Sequence, residues 1–141
     1  MILLDTNVIS EPLRVAPDAR VLAWLDAQPI QTLYLSAITV AELRVGIARM
    51  PEGKNRNRLR DRIETEVLPR FSGRVLPFDL AATQPYANLM TRARASGVVI
   101  GHYDGCIAAI ALASGMVVAS RDTAPFKAAG VTVIDPWQAD L

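Results

Sequence analysis

The stretch "MILLDTNVIS" (1–10) sets three apolar residues, Ile2, Leu3 and Leu4, directly against Asp5, Thr6 and Asn7. A short apolar run stopped by small polar residues reads as a buried strand ending in a turn. Four further segments read as short strands: "TLYLS" (32–36), "RVLPF" (74–78), "MVVAS" (116–120) and "VTVID" (131–135), most of them rich in β-branched residues. Between them run helical patterns over 18–27, 37–50, 55–68, 80–96 and 105–114. Gly53, Gly73, Gly97, Gly115 and Gly130 fall near the ends of these helices, where a left-handed residue is wanted. Strands alternating with helices imply βαβ units and an α/β fold with a mostly parallel sheet covered by helices. One domain over residues 1–141 accounts for the chain, which has no repeat, linker or low-complexity tract.

Composition narrows the classes. Apolar residues make up 51% and charged residues 21%, the balance of a compact folded protein. The longest uncharged stretch near the end, 105–120, is 16 residues broken by glycine and serine, too short for a membrane span. No secretory signal is expected either, so a cytoplasmic location follows as an expectation. One cysteine, Cys106, excludes an internal disulfide and a multi-cysteine zinc site. The single histidine, His102, has no nucleophile motif to serve. No GxGxxG or Walker A loop is present, which argues against a dinucleotide or P-loop enzyme. The net charge of +1 conceals a lopsided distribution, with nine Lys/Arg against four acids between Arg44 and Arg74. Such a segment is either a solvated helix face with i,i+4 pairs or an electrostatic footprint for nucleic acid.

In a parallel sheet, strand ends and crossover-helix starts meet along one edge. Asp5 follows the first strand, Glu42 lies in the helix after the second, Asp104 opens the helix leading into the fourth, and Asp122 follows the fourth. Each alone could be a cap, a turn or a solvated glutamate. Asp79 and Asp135 also follow strands, and spacing does not exclude them; "FDLAATQ" reads as a helix cap at Asp79, Asp135 before Pro136 reads as a turn, and strand order is what would separate the two groups. Gathered carboxylates repel unless a cation offsets them. Oxygen-only ligands without a histidine or cysteine pair suit Mg²⁺ or Mn²⁺ rather than zinc. Such an ion activates water or stabilises a phosphodiester's developing charge, so no protein nucleophile is needed.

The blocks "LLDTNVIS", "LSAITVAELRVGI", "YDGCIAAIA", "VASRDTAPF" and "GVTVIDPW" resemble, in order and spacing, the PIN-domain proteins. Within them the sequence is most similar to VapC-type toxins of toxin–antitoxin pairs, in the FitB-like branch. The resemblance implies a five-stranded parallel sheet in the order 3-2-1-4-5, which makes the first and fourth strands central neighbours. It places the family's acidic site on Asp5, Glu42, Asp104 and Asp122, with Asp5, Asp104 and Asp122 holding Mg²⁺ or Mn²⁺. Glu42 would ligate through water or orient the attacking water. Thr6 or Asn7 and Ser120 fall on the supporting polar positions; Ser120 stands where threonine is commoner and keeps the hydroxyl. Arg121, inside the fourth block, could touch RNA phosphate.

The activity implied is endoribonuclease cleavage of RNA by a toxin, which raises the weight of the Arg44–Arg74 segment as an RNA-facing surface. The partners implied are a cognate antitoxin that carries operator-DNA binding, and a second copy of the chain in a homodimer. Val15, Val21, Leu22, Trp24 and Leu25 could form part of a partner groove, although a plain core is the simpler reading of an amphipathic stripe. The alternative function is a non-catalytic PIN module acting in a DNA-bound regulatory complex with its antitoxin.

Overall fold

The computed structural model describes residues 1–139. Its five strands are β1 (Ile2–Leu4), β2 (Leu33–Ser36), β3 (Val75–Leu76), β4 (Val117–Ala119) and β5 (Val133–Ile134). They form one sheet in the order β3-β2-β1-β4-β5, with every pairing parallel. Ile2 stands opposite Leu33 on one side and Val117 on the other, so β1 is central. The expected sheet order and parallel architecture are those observed.

Burial on both faces explains why the strands read as unbroken apolar runs. Leu3 and Val118 join a core on one face with α6 (Leu80–Ala95), α7 (His102–Ser114) and α8 (Ala124–Ala128). Leu4 and Ala119 point the other way, into a core shared with α1 (Thr6–Ser10), α2 (Ala19–Ala27), α3 (Ala37–Ala48) and the segment of α4 (Lys54–Arg62) and α5 (Leu68–Arg70). Helix starts follow local chemistry. Asp18 accepts from the Arg20 N–H at 2.8 Å, and Ser36 Oγ accepts from the Thr39 N–H at 3.0 Å. Gly115 closes α7 in the left-handed region at φ 65°, as its place after the helical pattern predicts.

The differences from expectation have simple causes. α1 and α8 have five residues each, less than two turns, and leave no apolar period to read. α7 begins at His102 rather than Gly105, because Gly105 serves close packing inside the helix instead of marking its start. The pattern over 55–68 is α4 interrupted by a π-type turn over Ile63–Val67. Of the proposed groove residues, Val21 and Trp24 are core, while Val15 is 97% exposed. No helix among the described residues is long and apolar enough to cross a membrane.

Candidate active site

Asp5 ends β1 and sits at the N-terminal cap of α1, so the polar turn read from the sequence is both a cap and a site position. Its side chain is buried, 5% exposed, and almost fully bonded. Oδ1 accepts from the Thr6 N–H at 2.8 Å; Oδ2 accepts from Ser120 Oγ at 2.7 Å and more distantly from Asn7 Nδ2 at 3.5 Å. Asn7 Nδ2 also approaches Ser120 Oγ at 3.3 Å, and the Ser120 oxygen accepts from the Asp122 N–H at 3.1 Å. Neighbouring β1 and β4 thus bring Asp5, Asn7, Ser120 and the start of the Asp122 turn into one network. Thr6 serves a different acid: its hydroxyl donates to Glu42 Oε1 on α3 at 2.8 Å. Thr39, buried and not anticipated from the sequence, extends this line through contacts with Thr6 and Ser36. The local signal for it in the sequence is a serine three residues before it at a helix start, which points to a cap and not to a site.

Asp104 lies in the first turn of α7 and feels the charge of these acids. Its carboxyl is pushed up to about 6, first by burial and then by the charges of Asp5, Asp122 and Glu42. Burial also raises Asp5, partly offset by the Ser120 and Thr6 hydrogen bonds and reinforced by Asp122. Glu42 rises through burial, against its Thr6 bond, with Asp5 adding repulsion. None of the charges that act on Asp104 is positive, and none of the ion pairs among the described residues uses any of the four acids. The four therefore share one electrostatic site.

Asp79 and Asp135 are separated from it by strand order, since β3 and β5 are the outer strands. Asp79 occupies the start of α6 without the capping hydrogen bond its sequence suggests. Asp135 closes a turn by accepting from the Trp137 N–H at 2.9 Å. Arg121 does not reach toward the acids: its guanidinium lies over the Trp137 ring, 5.2 Å from the centroid. In the basic segment, Arg44 grips Glu64 through two bonds of 2.9 and 3.0 Å, and Arg56–Glu52 and Arg62–Glu66 are i,i+4 pairs. Part of that segment is the paired, solvated face that the sequence allowed.

The donor set suits a hard divalent ion, with carboxylate oxygens, no thiolate and no imidazole among the four positions. As they stand, no three His, Cys, Asp or Glu side chains among the described residues are close enough together to hold an ion. The fit is one of chemistry and charge.

The PIN domain family model matches residues 2–131. The VapC ribonuclease Y4jK of Sinorhizobium fredii (strain NBRC 101917 / NGR234) is 62% identical over 138 residues, covering 98% of this chain and 99% of that protein. Toxin FitB of Neisseria gonorrhoeae (strain ATCC 700825 / FA 1090) is 53% identical over 137 residues, covering 97% of this chain and 99% of that protein. A solved structure of FitAB bound to an IR36 DNA fragment superposes with a TM-score of 0.95 at 51% identity, covering 100% of this chain and 99% of the matched chain.

Proposed function

The chain belongs to the PIN-domain family, and from that premise we propose that it is the ribonuclease toxin of a toxin–antitoxin pair, cutting RNA at the four-acid site. The observation that supports this reading is that Asp5, Glu42 and Asp122 all act on Asp104 with like charge, while no ion pair among the described residues uses any of the four. Asp5, Asp104 and Asp122 would hold Mg²⁺ or Mn²⁺, which when bound supplies an activated water and offsets charge developing on the phosphodiester.

The chain's own residues prepare that chemistry. Ser120 and the Thr6 N–H fix the two oxygens of Asp5, while Asn7 links that carboxylate to the turn bearing Arg121 and Asp122. Thr6 Oγ1 holds one oxygen of Glu42, leaving the other to orient water. Burial around Asp5 excludes bulk solvent and strengthens each of these interactions.

An antitoxin that carries DNA binding is the partner we infer, a reading supported by the similar FitAB, whose structure is bound to a DNA fragment. An apolar cleft lined by Leu13, Val15, Leu43, Ile47 and Leu59 opens beside Thr6 and Glu42 and offers that partner a seat next to the acids. Regulation of an operator through the antitoxin is compatible with catalysis and does not require a dead site. Two copies of the chain are proposed to pair, and the exposed cations left over in 44–74 to face RNA phosphate.

The test is cleavage of a mixed RNA by antitoxin-free protein with Mg²⁺, Mn²⁺ or EDTA, alongside Asp104→Asn. The expected result is cutting that needs the metal and falls by at least about a hundredfold in the folded Asn variant. Clean, metal-replete wild type that leaves RNA intact would overturn the reading in favour of the regulatory module.

A further inference from the structure

Arg121 sits between Ser120 and Asp122, so its backbone belongs to the turn that carries one of the acids although its side chain points to Trp137. Its backbone N–H donates to Asn7 Oδ1 at 3.2 Å, tying it to the same polar network that holds Asp5. The guanidinium meanwhile covers the Trp137 indole. That ring is rigid: it is 7% exposed, belongs to the core beside Leu4 and Ala119, and follows a turn closed by Asp135. The guanidinium carbon thus lies 5.2 Å from the centroid of a buried ring, while Arg121 itself is exposed and open to a ligand.

The surroundings decide what that open face can bind. Arg121 and Trp137 line an open cleft of about 600 Å³ with Asp18, Arg20, Asp135 and Gln138. Among the described residues two carboxylates there stand against two guanidiniums, whereas a surface that grips phosphate carries a cationic excess. A flat guanidinium is also a stacking surface for unpaired RNA bases, which needs no net charge.

We propose that Arg121, backed by Trp137, is a stacking platform for one nucleobase of the RNA, and not a phosphate clamp. The proposal rests on the ribonuclease reading above. A base seated on Arg121 positions the adjoining backbone next to Asp5 and Asp122, so the residue governs how RNA enters and takes no part in the bond-breaking step.

The test starts from a mixed-sequence single strand of about 12 nucleotides, whose cut is mapped with antitoxin-free protein and Mg²⁺. The strand is then remade with an abasic ribose at each successive position around the cut. In wild type one position lowers kcat/KM by roughly 5- to 100-fold when its base is removed. That penalty disappears in Arg121→Ala and equally in Arg121→Lys, which keeps the charge but not the plane. Fluorescence anisotropy of the same strands on Asp104→Asn protein follows the same pattern without turnover. If Arg121→Lys keeps the wild-type abasic profile, or Arg121→Ala leaves it unchanged while wild type still cuts, the platform is wrong and the ribonuclease reading stands. Wild type that neither binds nor cuts RNA with Mg²⁺ or Mn²⁺ overturns both.

Discussion

Asp104 ionises in the company of Asp5, Asp122 and Glu42, and the sign of the consequence follows from its pKa. The folded value of about 6 lies above the ordinary 3.8, so between those pH values the native protein keeps a proton that the unfolded chain has released. Stability of the metal-free protein therefore falls as pH rises from about 4 to about 6, and stays low above that. Asp104→Asn removes the cost. It is expected to stabilise metal-free protein at pH 7 by about 1–2 kcal/mol, less than the full shift implies because the carboxyl keeps some solvent. Near pH 4 the advantage closes. Urea unfolding at both pH values measures this, and no gain at pH 7 would show that Asp104 escapes its neighbours' repulsion. At this scale the sequence was informative but not selective. Asp79 and Asp135 obey the same strand-end rule as Asp5 and Asp122, and their cap and turn readings apply as well to the site acids, so strand order is needed to separate them. The Arg121–Trp137 contact was out of reach, because a stacking pair 16 positions apart has no signature in composition or period.

Between α6 and α7 the site depends on a close approach. A Cβ built on Gly105 would lie 3.0 Å from Met90 Sδ and 3.2 Å from Tyr86 Cε2, beside the residue that carries the Asp104 carboxyl. Tyr86 also bonds His102 Nδ1 at 3.1 Å, so α6 meets the first turn of α7 at two levels. Met90 can swing, but the Tyr86 ring is less free to yield. Gly105→Ala is thus expected to cost roughly 1–3 kcal/mol, with kcat reduced by displacement of Asp104. Chemical denaturation together with RNA cleavage checks it; a variant as stable and active as wild type would show that the helices part without penalty. Long helices were legible from their period and their closing glycines. Gly105 was misread as a helix start, since sequence reveals a glycine but not the neighbour that demands it.

Across the whole molecule, topology converts scattered acids into a site. The order β3-β2-β1-β4-β5 makes β1 and β4 neighbours and sends Asp79 and Asp135 to the margins. Sequence alone supported a parallel α/β sheet, but five short strands permit several orders; the order came from the family resemblance and the structure bears it out. Under the proposed function the four acids together take up one divalent ion, which offsets their mutual repulsion. The most direct measurement is Mn²⁺ binding to antitoxin-free protein, followed by the loss of the free-ion electron paramagnetic resonance signal. Wild type is expected to take up Mn²⁺ saturably at pH 7. Binding about tenfold weaker or worse is expected both in Asp104→Asn and in wild type near pH 5, where Asp104 holds its proton. Equal Mn²⁺ affinity in wild type and Asp104→Asn, or no uptake by wild type at all, would contradict it.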